Sequence, residues 1–182
     1  EGPKLAVGDV NGDGLEDFYM GGAKGDTAKL FVQRPDGSFI QKPQHAFMQD
    51  KDYESIGAEF FDADGDKDLD LYVVSGGNEY SGQSPLLNDR LYLNDGKGNF
   101  IKSDGLPPMF ANKSCVSVAD IDGDGDQDIF VFPTSNMPPP PHQNHLRSAP
   151  PATVASAIPT ASHIAEPRRI TPLPVPLASG LG

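Results

Sequence analysis

The chain has 182 residues, with 26 acids against 14 lysines and arginines and a net charge of −12; Cys115 is the single cysteine and has no partner for an internal disulfide. So acidic a body argues against nucleic acid, whose phosphates call for lysine and arginine, and favours cations or basic surfaces as partners. No run approaches the roughly 18 consecutive apolar residues of a membrane span.

Taken in chain order, the first element is a short strand in "KLAVG" (4–8), followed by the acidic stretch "DVNGDGLED" (9–17) and a second strand in "FYMGG" (18–22). These flanking runs are strand-length, rich in β-branched and aromatic residues, and too short for helices. "LFVQRPDGSFI" (30–40) then reads as a hairpin, with a glycine-containing turn between two apolar stubs. The order repeats: "GAEFF" (57–61), "DADGDKDLD" (62–70), "LYVVSGG" (71–77), and "LYLNDGKGNFI" (91–101), which aligns without a gap on 30–40. A third copy opens with "VSVA" (116–119), "DIDGDGDQD" (120–128) and "IFVF" (129–132). A four-strand unit recurring at roughly fifty to sixty residues predicts the blades of a β-propeller. The expected fold is therefore all-β: a partial β-propeller of four-stranded antiparallel blades over residues 1–132.

Beyond Phe132 the composition changes. Twelve of the 18 prolines fall there, and the only acid is Glu166 against Arg147, Arg168 and Arg169. With few backbone donors and no periodic apolar pattern, 133–182 is expected to be a disordered Pro-rich tail. The chain opens at Glu1 rather than a methionine. It reads as a fragment or processed form, and the lack of a signal peptide carries no weight.

The three acidic stretches share the form D-x-[DN]-G-D-[GK]-x-x-D, with oxygen-bearing side chains at positions one, three, five and nine. These are Asp9, Asn11, Asp13 and Asp17 in loop 1; Asp62, Asp64, Asp66 and Asp70 in loop 2; and Asp120, Asp122, Asp124 and Asp128 in loop 3. Alternate side chains of a tight loop turn toward one centre, and Ca²⁺ takes about six to eight oxygens at roughly 2.3–2.6 Å. The backbone carbonyl at position seven (Leu15, Asp68, Asp126) is the expected additional ligand, by analogy with other calcium loops. Glycine at positions four and six permits the positive φ that wrapping an ion requires; in loop 2 Lys67 replaces the second glycine, so strain is expected there. Magnesium suits such a cage less well, because it keeps its waters. An EF-hand begins alike but closes with a glutamate at position twelve, where this chain has Met20, Val73 or Val131, all in strands.

With these motifs the copies resemble the FG-GAP/VCBS-type repeats of integrin α-subunit propellers and of many secreted bacterial proteins, and "LYLNDGKGNF" is similar to the hairpin of the bacterial repeats. The resemblance covers Leu5 to Phe132. It implies a propeller, usually of about seven blades, with Ca²⁺ as a structural ion in the hairpin loops and no catalytic residue. The third copy departs from the family where its own hairpin should follow and a Pro-rich sequence stands instead.

The reading is thus a calcium-binding, extracellular or secreted module for adhesion or ligand binding, not an enzyme. Its partners are calcium ions and an extracellular protein or polysaccharide. The alternative is the scaffold propeller of a secreted polysaccharide-active enzyme whose active site lies elsewhere. No Ser/His/Asp, Cys/His, phosphate-loop or zinc spacing is present. Asn78, Glu79, Tyr80 and Arg90, at or beside an insertion between the second and third strands of copy two, suit contacts to a ligand. Cys115 is expected to be a small buried core residue.

Overall fold

In the computed structural model, residues 4–77, 80, 84–121, 123 and 125–133 are described. The tail expected over 133–182 lies outside them except for Pro133, which ends a strand. Along the chain run β1 (Leu5–Gly8), β2 (Asp17–Met20), β3 (Lys29–Gln33), β4 (Phe39–Lys42), a short helix α1 (His45–Gln49), β5 (Ser55–Phe61) and β6 (Asp70–Ser75). A 3₁₀ turn (Pro85–Leu87), β7 (Arg90–Leu93), β8 (Ile101–Ser103), β9 (Lys113–Ala119) and β10 (Asp128–Pro133) complete the order.

Every pairing is antiparallel and between sequence neighbours: β1-β2-β3-β4 form one sheet, β5-β6-β7-β8 a second, and β9-β10 a two-stranded third. These are two complete blades and the inner pair of a third, the partial propeller expected. The first strands touch in series, β1 against β5 and β5 against β9. The fourth strands, β4 and β8, are largely exposed.

The middle blade shows why the strand sequences are apolar throughout. In β6 all six residues are buried, because the strand's alternating side chains enter two different cores. Leu71 and Val73 pack toward blade 1 with Ala6, Tyr19, Leu30 and Phe100. Tyr72 and Val74 pack toward blade 3 with Ile56, Leu91, Ile129 and Val131.

The sequence reading contained no helix. α1 is only five residues long, and its function is to place Phe47, 2 % exposed, between the blades. The Phe47 ring meets Tyr19 edge-on at 5.4 Å and Tyr92 at 5.0 Å, and stacks on Phe100 at 5.9 Å. Burying a phenylalanine stabilises by about 1.5–3 kcal/mol, more than so short a helix gains from its own hydrogen bonds. One expectation is corrected here: Cys115 is exposed. It pairs with Phe132 across the β9–β10 ladder, on the face opposite Val116 and Val118, which pack into the core.

Candidate metal centre

Each acidic loop is the turn of its blade's innermost hairpin. The pairs Gly8↔Asp17, Phe61↔Asp70 and Ala119↔Asp128 close the three turns. Position nine is therefore already the first residue of a strand.

Position one braces the turn in every copy. Asp9 accepts hydrogen bonds from the N–H groups of Gly12 at 2.8 Å, Asp13 at 3.2 Å and Gly14 at 2.7 Å. Asp62 accepts from Gly65 at 2.7 Å and Lys67 at 3.0 Å, and Asp120 from Gly123 at 2.7 Å and Gly125 at 3.2 Å. The backbone must turn left-handed at positions four and six for these donors to point back. Gly65 sits at φ 83°, and Lys67 is the one non-glycine residue at positive φ, 76°, among those described. The strain expected at Lys67 is present as that dihedral angle.

Position nine acts as a clamp. The Oδ2 atoms of Asp17, Asp70 and Asp128 accept from the N–H of position two, that is Val10, Ala63 and Ile121. In the two complete blades Oδ1 reaches across to the residue closing the third strand or just after it: Gln33 N donates to Asp17 at 2.9 Å and Asn94 N to Asp70 at 2.8 Å. Asp17 and Asp70 are both buried.

At positions three and five the loops differ. In loop 1 Asn11 and Asp13 turn on each other, with Asn11 Nδ2 donating to Asp13 Oδ2 at 3.1 Å and Asp13 N to Asn11 Oδ1 at 2.9 Å. In loop 2 carboxylate oxygens of Asp62, Asp64 and Asp70 lie within 4.8 Å of one another, a span that ligands about 2.4 Å from a common ion can adopt. Asp66 accepts from Asp68 N at 3.0 Å. At position seven the Asp68 side chain is itself drawn in: its Oδ1 is buried with no hydrogen-bond partner. Leu15 is half-buried and Asp126 exposed. Asp122 and Asp124 lie outside the described residues.

Electrostatics sharpen the contrast. Burial, then repulsion from Asp66, Asp64 and Asp62, pushes the Asp68 carboxyl up to about 6. Burial likewise lifts Asp70 to about 7 against the bonds from Asn94 and Ala63 that lower it. Burial and Asp66 also raise Asp64, and burial raises Asp17. At Asp9 the effect of burial is outweighed by the donors from Gly14, Gly12, Asp13 and Asn11, which together hold it below the ordinary value. Loop 2 thus gathers a buried carboxylate (Asp70), two half-buried ones (Asp62 and Asp68) and two exposed ones (Asp64 and Asp66) around an orphaned oxygen, and a divalent cation there would offset both the repulsion and the missing partner.

The insertion candidates fare less well. Asn78 and Glu79 lie outside the described residues. The Tyr80 hydroxyl donates to Asp52 O at 3.0 Å. Arg90 is 2 % exposed and spends its guanidinium on Ser75, Tyr92 and Ser55, so it is a strut inside the blade and not a ligand contact. The spacing of acidic residues does not point to Asn94, because its bond to Asp70 is made by a backbone N–H, which side-chain identity does not reveal. The gapless alignment of 30–40 on 91–101 does place Gln33 opposite it.

Two overlapping matches to a family model, the FG-GAP-like repeat, cover residues 9–73 and 62–131, each running from one acidic loop through the next. No curated protein matches the chain. The matched span exceeds half of the chain, its period is the blade-to-blade period of the sheets, and the chain belongs to the FG-GAP-like repeat family.

Proposed function

We propose that the chain is a calcium-stabilised propeller module with an extracellular, non-catalytic binding or adhesion role, and that its acidic loops hold Ca²⁺ as a structural ion. The observation that carries this reading is loop 2, where Asp62, Asp64 and Asp70 converge and Asp68 Oδ1 is buried without a partner. Asp62, Asp64, Asp66, Asp68 and Asp70 would hold the ion there, and the corresponding positions would do so in loops 1 and 3. The ion supplies a positive charge that neutralises the loop and ties the two inner strands together.

The buried carboxylates away from the loops support a non-catalytic role, because each is committed to the framework. Asp50 accepts from the Tyr92 hydroxyl and Lys102 Nζ, both at 2.7 Å. Asp89 accepts from Tyr72, Ser75 N and Lys113 Nζ. A protein or polysaccharide ligand would meet the end of blade 2 away from its acidic loop, where a cleft is lined by Tyr53, Asn88, Lys102 and Asp104.

Calcium titration of metal-stripped protein by calorimetry, with the melting temperature followed in parallel, tests the core of this reading. A ligand that binds only the folded state stabilises it by about 2.7 kcal/mol at a hundred times its Kd, so melting should rise with free calcium. No heat and no melting shift at millimolar calcium would overturn it.

A further inference from the structure

The carboxamide of Asn94 lies between two acidic loops that belong to different blades. Its Nδ2 donates to Val10 O in loop 1 at 2.8 Å and to Leu69 O in loop 2 at 3.0 Å. Its backbone N–H donates to Asp70 Oδ1 at 2.8 Å. Val10, in turn, donates its own N–H to Asp17 Oδ2 at 3.2 Å. One hydrogen-bonded path thus runs from position nine of loop 1 through Val10 and Asn94 to position nine of loop 2. Asn94 is buried, so its bonds do not compete with bulk water.

The turn carrying Asn94 is itself pressed onto blade 1. Gln44 Nε2 donates to Gly98 O at 2.8 Å, Phe100 N donates back to Gln44 Oε1 at 3.0 Å, and Lys42 Nζ donates to Lys97 O. At Gly98 a methyl group would come within 3.2 Å of the Val10 side chain. The β7–β8 turn is therefore wedged against loop 1 while it closes loop 2.

We propose that Asn94 couples the calcium sites of loops 1 and 2, so that filling either raises the affinity of the other. The inference rests on the calcium reading above. An ion that orders loop 1 fixes the Val10 carbonyl, which holds the Asn94 carboxamide, which sets the Leu69 carbonyl and Asp70. The second ion then finds part of its ordering cost already met, and the benefit is reciprocal. Direct repulsion between two bound cations would give the opposite sign, so positive coupling points to the hydrogen-bonded route.

The test uses the full ¹⁵N-labelled chain titrated with calcium alone. The Gly12 amide reports loop 1 and the Gly65 amide loop 2, since these N–H groups donate to Asp9 and Asp62. Asp13→Ala disables loop 1 at an exposed side chain. It is expected to move the Gly65 midpoint to about fivefold higher calcium or more, the low end of typical couplings. In an Asn94→Ser background the same Asp13→Ala change should leave the Gly65 midpoint where it was. An electrostatic effect of the lost charge would persist in that background, so the double-mutant cycle separates the two causes. A Gly65 midpoint indifferent to Asp13→Ala, or an equal shift with and without Asn94, overturns the coupling while leaving calcium binding intact. If neither amide moves at millimolar calcium in the unaltered chain, the calcium reading falls and the coupling falls with it. Should Asn94→Ser fail to fold, Asn94→Leu, which keeps the side-chain volume but lacks the Nδ2 donors to Val10 O and Leu69 O, takes its place in the cycle with the same outcomes.

Discussion

At the scale of single residues, position nine and position five behave differently even though both carry aspartate. Asp70 holds two buried N–H groups, those of Ala63 and Asn94. Asp66 accepts from the exposed Asp68 N–H and pushes up the carboxyls of Asp64 and Asp68. Asp70→Ala should therefore destabilise even the metal-free protein, by about 2–5 kcal/mol for two orphaned donors. Asp66→Ala should leave metal-free stability within about 0.5 kcal/mol and abolish only the response of loop 2 to calcium. Urea denaturation in chelator compares them, and equal losses would contradict the division of roles. The acidity of Asp70 has a sign that can be checked as well. Its folded carboxyl titrates near 7, above the ordinary carboxylate value of 3.8, so over that interval the folded state holds a proton the unfolded chain lacks. Its contribution is fully present below the unfolded value and is lost as pH rises through about 7. Metal-free protein should melt higher at pH 5 than at pH 8, and Asp70→Asn should flatten that slope. In excess calcium the slope should reverse, since the ion needs the carboxylate ionised.

At the scale of elements, the loops and the interblade ties carry the strain and the charge. Lys67 occupies the left-handed region where loops 1 and 3 have Gly14 and Gly125. That conformation costs an ordinary residue about 1–2 kcal/mol, of which glycine's greater unfolded freedom returns up to about 1 kcal/mol. Lys67→Gly should raise the melting temperature slightly and tighten calcium binding in loop 2; looser binding would show that the lysine serves the site. Between blades 2 and 3, Lys113 at the start of β9 bonds Asp89 at 2.9 Å, with both side chains 2 % exposed. The ammonium also donates to Leu87 O and Met109 O. Removing Asp89 leaves that ammonium buried without its counter-charge, so Asp89→Ala should cost about 3–5 kcal/mol, measurable as a fall in the denaturation midpoint.

At the scale of the molecule, repeat equivalence says what the open face of blade 1 is. Ala58, Phe60, Leu71, Val73, Tyr92 and Phe100 are the side chains that blade 2 turns toward blade 1. Their counterparts in the first copy are Leu5, Val7, Phe18, Met20, Phe31 and Phe39. All six are apolar, yet Leu5 is 58 % and Val7 61 % exposed. Phe18 stacks on Phe31 at 4.7 Å and meets Phe39 edge-on at 5.0 Å, so the rings cluster on one another. A contiguous apolar sheet face of this kind promotes association. Light scattering of the isolated chain should show oligomers, and Val7→Lys should shift the mass toward the monomer without lowering the melting temperature. A monodisperse monomer before the substitution would mean that the face is covered by some other part of the chain.

The sequence alone determined the repeat, the strand order within a blade and the position of each acidic loop between inner strands. Those features are local: alternation of side chains, glycine-bearing turns and spaced oxygens act between residues close in the chain. It led to the expectation that Asp62, Asp64, Asp66 and Asp70 turn toward one centre, because nine residues of tight loop leave little freedom; the structure brings carboxylate oxygens of Asp62, Asp64 and Asp70 within 4.8 Å of one another. Only the tertiary structure decided the rest. Whether Asp17 and Asp70 face solvent or serve as buried clamps depends on backbone N–H groups of a strand that is distant in sequence, Gln33 and Asn94. The role of Phe47 depends on two blades closing on a five-residue helix that has no periodic signal of its own. The burial of Arg90 and the exposure of Cys115 depend on which face of a sheet meets a neighbour. The pattern of one strand cannot specify that, because a propeller blade is apolar on both faces and only the arrangement of whole blades decides which is covered.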